Sequence, residues 1–136
     1  MVFILSRKQK PMVEISDTPN RMRKRLLVKK GIENIALKTD DIALIFTENK
    51  IVFVIDGQTG KKYITDKNLS VLEQELDRTV FFRANRKYII SINFIKAFRP
   101  FEKVKLQVDL NIPENNHQII VSQESAKSFK QWINEA

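Results

Sequence analysis

The stretch that decides the fold reads Phe81-Phe82-Arg83-Ala84-Asn85-Arg86-Lys87-Tyr88-Ile89-Ile90. Large apolar side chains stand at both ends of it, and burying each of them is worth roughly 1.5–3 kcal/mol. Three cations and one amide lie between them, and burying such polar groups carries a cost unless each finds a partner. The pattern therefore predicts a basic loop that the hydrophobic core holds at both ends.

Positive charge is concentrated in two segments of the chain, which has 136 residues and a net charge of +8. Residues 1–26 hold seven Lys or Arg against two acids, and residues 81–105 hold seven against one, so the remainder carries −3. Localised charge of this kind favours a surface that faces a polyanion. Charge alone leaves nucleic acid and an ordinary solvated basic face both open, and it fits a membrane surface less well.

Several function classes are disfavoured by composition. The chain has no cysteine, which removes disulfides, Cys-based zinc sites and thiol catalysis and suits a reducing cytoplasm. No apolar run approaches the ~20 residues that a membrane span needs. The opening Met1-Val2-Phe3-Ile4-Leu5 has its cations after the apolar run, unlike a signal peptide. We expect a cytoplasmic protein without membrane contact, metal or cofactor.

Two parts of the chain differ in character. Residues 1–24 contain Pro11, Pro19 and several cations without sustained periodicity, which predicts a flexible basic linker or arm. A simple disordered tail explains this segment equally well. Residues 25–136 have the pattern of one folded domain.

The pattern of that domain predicts a mainly β fold with short helices. Apolar or alternating segments predict strands at 26–29, 32–37, 42–46, 51–55, 61–65, 104–110 and 118–121. We expect a hairpin loop at residues 47–50 and a tight turn at Asp56-Gly57. Leucine spacing predicts a helix over residues 68–77. A second helix should begin at Ser122, with Ser125 as the alternative cap, and end near Asn134.

Catalytic groups are scarce. His117 is the only histidine and stands in a polar turn, where a surface position is expected. The pair Asp40-Asp41 resembles the acidic pair of a receiver domain, but no Asp ends the strand that follows. Capping of a short helical turn explains the pair better. The sequence therefore predicts a binding protein and not an enzyme.

The basic loop carries groups that can both anchor and read DNA. Arg and Lys neutralise phosphates, Arg also pairs with guanine, and Asn85 can pair with adenine. An asparagine that only forms a turn, among solvated cations, would give the same pattern, so residue types leave the choice open.

The order of motifs resembles the LytTR DNA-binding domain over residues 25–134. The matching pieces are Asp41-Ile42, the helix leucines Leu69, Leu72 and Leu76, the block from Phe81 to Ser91 with Ile92 and Ile95, and Ile120-Val121-Ser122. The resemblance implies a succession of small antiparallel sheets with short helices. It implies a sequence-specific transcriptional regulator, the bacterial response-regulator output type, whose loop side chains enter successive major grooves.

Three contact regions follow from the resemblance. They are the hairpin with Asn49 and Lys50, the basic loop, and the start of the last helix; the implied DNA-binding residues are Asn49, Lys50, Arg83, Asn85, Arg86, Lys87, Ser122 and Gln123. Within the family pattern, Gln123 replaces a frequent Arg, Asn85 replaces a commoner His, and Ser91 replaces Asn, which should affect packing more than binding.

The partners implied are double-stranded DNA with a direct or imperfect repeat and a second copy of the chain bound there. A receiver domain or sensor kinase belongs to the same two-component setting, although no receiver domain is expected before residue 25. A β-rich module whose basic loop docks an acidic protein is the alternative. An RNA-binding module fits less well, because Phe81, Phe82 and Tyr88 are expected in the core and not in base stacking.

Overall fold

The computed structural model describes residues 24–113 and 116–136. Except for Lys24, the predicted basic arm lies outside the described residues, as do Glu114 and Asn115 of a predicted turn. The division of the chain into an arm and a domain therefore stays a prediction.

Strands dominate the described part of the chain. In chain order they are β1 (Arg25–Lys30), β2 (Glu33–Lys38), β3 (Ile42–Glu48), β4 (Ile51–Asp56), β5 (Lys62–Thr65), β6 (Phe81–Arg83), β7 (Tyr88–Ser91), β8 (Ile95–Phe101), β9 (Lys105–Leu110) and β10 (Ile119–Val121). The helices are α1 (Leu69–Glu75) and α2 (Gln123–Glu135), and short 3-10 turns span Thr39–Asp41 and Ile92–Phe94. The predicted mainly β class with two helices is confirmed.

Two antiparallel sheets organise these strands. The large sheet has seven strands in the order β2-β1-β5-β4-β3-β7-β6, and the small sheet has three in the order β10-β9-β8. Strand β3 lies inside the large sheet between β4 and β7, and Phe46 pairs with both Phe53 and Tyr88. Neither of the two helices described is long and apolar enough to cross a membrane.

The large sheet is buried on both faces near β3, because a separate core packs against each face. Successive side chains of a strand point to opposite faces, so β3 contributes to both cores. Leu44 and Phe46 pack into a core shared with the small sheet and α2, which we call the inter-sheet core. Ile45 packs on the other face into the α1 core, where Leu72 and Leu76 are also buried. This double burial explains why the β3 sequence is a continuous apolar run instead of an alternation.

Helix α2 closes the inter-sheet core. Phe129 is fully buried there, and its ring lies edge-on to those of Phe82 and Phe98 at centroid distances of 5.5 and 5.1 Å. The indole N–H of Trp132 donates a 2.9 Å hydrogen bond to the carbonyl of Arg78. The helix begins after Ser122, as the sequence predicts, but the Ser122 side chain makes no capping hydrogen bond.

Several boundaries differ from the predicted ones. Thr47 and Glu48 belong to strand β3, so the predicted four-residue loop contracts to a two-residue turn. Helix α1 is shorter than predicted and begins after Asn68, whose side chain accepts a 2.9 Å hydrogen bond from the Val71 N–H. Strand β8 is absent from the predicted set, because nearly all of its side chains are exposed and no alternation marks it.

The capping role expected for Asp40 and Asp41 is wrong. Both acids lie inside the 3-10 turn, Lys38 occupies the N-cap position, and no side-chain capping hydrogen bond forms there. The backbone of Asp41 is used instead, since its carbonyl accepts a 2.7 Å hydrogen bond from the N–H of Gly57. This bond ties the turn after β4 to the entry of β3.

Candidate nucleic-acid interface

The basic stretch folds into the β6–β7 hairpin, with residues 84–87 as its loop. Phe81, Tyr88, Ile89 and Ile90 are buried, and the Ala84 N–H donates a 2.9 Å hydrogen bond to the carbonyl of Tyr88 at the base of the loop. Arg86 and Lys87 are exposed, whereas Arg83 and Asn85 are half-buried. The predicted arrangement of a basic loop between buried flanks is present.

Arg83 braces this loop from within. Its Nε donates to the carbonyl of Asn85 and one terminal nitrogen to the carbonyl of Arg86, both at 2.9 Å. The other terminal nitrogen pairs with Glu73 Oε1 at 3.0 Å, and the side chain is 23% exposed. Three of the guanidinium's five N–H groups are therefore engaged inside the chain, which limits what Arg83 can offer to DNA.

Asn85 connects the loop to the last strand. Its amide nitrogen donates to the carbonyl of Ile120 at 2.6 Å, and its amide oxygen accepts from the N–H groups of Lys87 and Tyr88 at 2.7 and 3.1 Å. Both lone pairs of that oxygen are thus used. Bidentate pairing with adenine is not available in this conformation, and a DNA contact by Asn85 stays a prediction.

The start of α2 lies against the same loop. The N–H of Ser122 donates a 3.1 Å hydrogen bond to the carbonyl of Ala84. An open cleft of about 600 Å³ results, lined by Arg83, Asn85, Arg86, Lys87, Ser122, Glu124 and Ser125. Two of the three predicted contact regions therefore meet although they are distant in sequence.

The third region, the turn between β3 and β4, lies beside this cleft. Asn49 and Lys50 form the turn, are exposed, and have φ values of 53° and 66°. Two consecutive positive φ angles are typical of the two-residue turn that suits a twisted hairpin. The Thr47 N–H donates a 3.1 Å hydrogen bond to the carbonyl of Lys87, so the hairpin and the basic loop project from the same end of the sheet.

Gln123 does not line the cleft. It is exposed and follows Ser122, but it lines a second groove between α2 and the β8–β9 hairpin. The cleft and this second groove thus adjoin at the first turn of α2.

Comparison with known proteins identifies the family of the chain. A family model for the LytTr DNA-binding domain matches residues 33–134. The chain belongs to the LytTr DNA-binding domain family. It therefore carries a DNA-binding domain of the regulatory output type, and membership in a family of binding domains supports a role other than catalysis.

Relatives agree with this assignment. The chain is 29% identical over 94 residues to the sensory transduction protein LytT of Oceanobacillus iheyensis. This match covers 60% of the chain. The chain spans only 38% of the length of that relative. A solved LytTr DNA-binding domain from Bacillus cereus superposes with a TM-score of 0.71 at 20% identity, covering 82% of this chain and 97% of that one. This second similarity shows a shared fold.

The LytTr domain also has cleft residues that the sequence did not indicate. Glu124 is exposed and Ser125 half-buried in the first turn of α2, and both line the cleft. Glu124 is an acid in the first turn, where the helix dipole favours negative charge, so its type gave no sign that it would line a cleft beside the basic loop. Only the hydrogen bonds between loop and strand bring it there.

The surface position expected for His117 holds in part, because the residue is half-buried. Its ring lies 4.5 Å from that of Phe46, and its Nδ1 is 3.3 Å from the hydroxyl of Tyr88. Burial lowers the pKa of His117, with Lys87 and Lys62 acting in the same direction and Glu48 opposing them. The imidazole thus joins the segment before β10 to the strands that carry both the hairpin turn and the basic loop.

Proposed function

We propose that this LytTr domain is the output part of a transcriptional regulator that recognises specific sequences in the major groove of double-stranded DNA. The supporting observation is the cleft between the basic loop and α2. Hydrogen bonds from Asn85 to Ile120 and from Ser122 to Ala84 fix its two walls relative to each other. A fixed spacing of side chains is what base reading requires and a diffuse basic patch does not.

The proposed roles depend on whether a side chain is exposed or already hydrogen-bonded within the protein. Arg86 and Lys87 are exposed and would contact DNA directly, with Arg86 able to pair with guanine. Lys50 would anchor a phosphate from the neighbouring turn. Arg83 and Asn85 would set the shape of the loop, and contacts of their remaining N–H groups to DNA would be additional.

Polar side chains at the edges of the interface would add reading groups. Asn49, Ser122 and Gln123 carry amide or hydroxyl groups that can donate to and accept from base edges. Gln123 is suited to adenine by its bidentate amide. Asn49 and Gln123 are assigned because they are exposed, and Ser122 is assigned because it lines the cleft.

The wider setting is also a proposal. A relative described as a sensory transduction protein supports a two-component context, with a receiver domain or a sensor kinase acting upstream. We infer that two copies bind a direct or imperfect repeat, since a single LytTr domain presents one set of loops. This role places the protein in the cytoplasm.

Selection of bound sequences from random duplexes tests the proposal. Arg86→Ala should weaken binding to a selected duplex by roughly 1–3 kcal/mol and binding to a scrambled duplex by less. Lys87→Ala is the matched control for a phosphate contact and should weaken both equally.

Two outcomes count against this function. Equal loss on both duplexes for Arg86→Ala reduces that residue to a phosphate anchor. If selection enriches no sequence at all, base reading fails. Binding of an acidic protein in competition with DNA would then favour the alternative, a protein-interaction module.

A further inference from the structure

We propose that the groove between α2 and the β8–β9 hairpin is a second DNA-binding surface, which holds the phosphate backbone beside the sequence-reading cleft. This inference rests on the proposed function, since it extends the bound duplex beyond that cleft. The groove encloses about 530 Å³. Lys103 and Lys105 come from the hairpin and Lys127 and Lys130 from α2, so cations line both walls.

The two lysines of α2 lie on the same face of the helix as Gln123, a predicted DNA contact. Gln123, Lys127 and Lys130 are separated by four and three residues, which places them on one face of an α-helix. The seven steps from Gln123 to Lys130 rise ~10 Å along the helix, and each DNA strand carries one phosphate per about 3.4 Å of duplex axis. A backbone followed from the cleft past Gln123 would therefore meet Lys127 and then Lys130.

Exposure of the lysines supports contact with a polyanion. Lys103, Lys127 and Lys130 are exposed, and Lys105 is half exposed. Glu102 lies 3.8 Å from Lys105, but both groups are solvated, and exposed pairs of this kind are worth little. No carboxylate appears among the described residues that line the groove, so four positive charges meet no lining acid there.

The floor of the groove suits a sugar–phosphate strand better than free ions. Val104, which is 54% exposed, lines the groove together with the buried Leu106 and Ala126. An apolar floor between cationic walls allows sugar contacts below and phosphate contacts at the sides. Gln123 is the only amide side chain among the described residues that line this groove, and its lysines act as flexible point charges, so the groove should add affinity with little added sequence preference.

Salt dependence of binding distinguishes this surface from the reading cleft. The test uses the full chain, a 40-base-pair duplex selected from a random pool, and a scrambled duplex of equal composition. The groove variant carries Lys103→Gln, Lys105→Gln, Lys127→Gln and Lys130→Gln. The control carries Lys29→Gln, Lys30→Gln, Lys38→Gln and Lys61→Gln, which removes equal charge toward the far edge of the large sheet.

The groove variant should lose about 0.9 in the slope of log affinity against log salt for each phosphate contact removed, and about 2 or more in total. Its preference for the selected over the scrambled duplex should stay within about threefold of wild type. The control variant should change the slope by less than about half as much. A double variant with Lys127→Gln and Lys130→Gln should show about half of this loss in slope. It keeps the proposal testable if the fourfold variant does not fold.

Other outcomes overturn the proposal. Equal slope changes in the groove and control variants would mean that only net charge matters. An unchanged slope together with lost binding of poly-glutamate would make the groove a site for acidic peptides. If wild type shows no sequence preference but the slope still falls, the proposed function fails and the phosphate surface stands.

Discussion

The side-chain amide of Asn85 donates a 2.6 Å hydrogen bond to the backbone carbonyl of Ile120, which lies 35 residues further along the chain. This bond connects the β6–β7 loop to the strand that leads into α2. The same amide accepts from Lys87 and Tyr88, so one side chain fixes the loop internally and fixes it relative to the helix. The geometry of the cleft therefore depends on Asn85 whether or not it contacts DNA.

Asn85→Ala should destabilise the fold. It leaves the N–H groups of Lys87 and Tyr88 and the carbonyl of Ile120 without their partner, which costs about 1–3 kcal/mol in the free energy of unfolding. Urea denaturation measures this loss. Arg86→Ala is the control from the same loop and should change stability by no more than about 0.5 kcal/mol, because its side chain is exposed. Unchanged stability in Asn85→Ala would mean that this side chain is free to read bases.

The role of Asn85 also shows where prediction from sequence stops. An Arg-Ala-Asn-Arg-Lys loop between apolar residues predicts its own hairpin, because the buried flanks and the polar middle are local properties. Whether the amide faces DNA or Ile120 depends on a strand 35 residues away. Residue type carries no information about such a contact, so the sequence indicated the loop without separating the side chains that hold its shape from those that face solvent.

Strand β8 is a strand that its sequence pattern did not predict. Strands β3 and β9 were predictable because burial on two faces gives a continuous apolar run and burial on one face gives alternation. Strand β8 is an edge strand with exposed side chains and Pro100 near its end, so its sequence reads as a loop. The groove that we assign to phosphate binding begins at this unpredicted hairpin.

A second prediction concerns Gly57 and Phe94. A Cβ at Gly57 would lie 2.2–2.6 Å from three atoms of the Phe94 ring, and the hydrogen bond from Gly57 to Asp41 holds the backbone in place. Gly57→Ala should therefore cost about 1–3 kcal/mol through overpacking, measured by urea denaturation. Combination with Phe94→Leu should be less damaging than the sum of the two single changes, since one relieves the other.

Gly31→Ala is the matched control for this pair. Gly31 has a φ of 61° and nothing within 4 Å of an added Cβ, so its cost of about 1–2 kcal/mol comes from the backbone alone. It should be additive with Phe94→Leu. Additivity of Gly57→Ala with Phe94→Leu would show that the ring does not restrict residue 57.

The third prediction is a loss of stability in mild acid that depends on His117. Burial lowers the pKa of His117 in the folded protein, so the unfolded chain takes up its proton first. The corresponding stability is present above the unfolded pKa of about 6.5 and is lost as pH falls from there toward the folded pKa. The free energy of unfolding, measured between pH 7.5 and 5, should drop less in His117→Phe than in wild type.

Glu48→Gln provides the opposing control. Glu48 raises the pKa of His117, so its removal should lower that pKa further and deepen the drop between pH 7.5 and 5. The double variant with His117→Phe should lose this effect. An equal pH dependence in wild type and His117→Phe would assign the acid sensitivity to carboxylates elsewhere.

The last prediction sets stability against DNA binding at Lys50. The φ of Lys50, 66°, costs a residue with a side chain about 1–2 kcal/mol, and glycine would remove this strain. Glycine also loses more conformational entropy on folding, which offsets part of that gain, so Lys50→Gly should stabilise the fold by about 0.5–1 kcal/mol. Asn49→Gly should gain less, because Asn tolerates this conformation.

Lys50→Gly should also weaken DNA binding and reduce the salt slope by about 0.9, while Asn49→Gly leaves the slope unchanged. Lys50→Ala separates the two effects, since it removes the charge but keeps the strain. If Lys50→Ala binds DNA as tightly as wild type, Lys50 occupies a strained position for a reason other than phosphate contact.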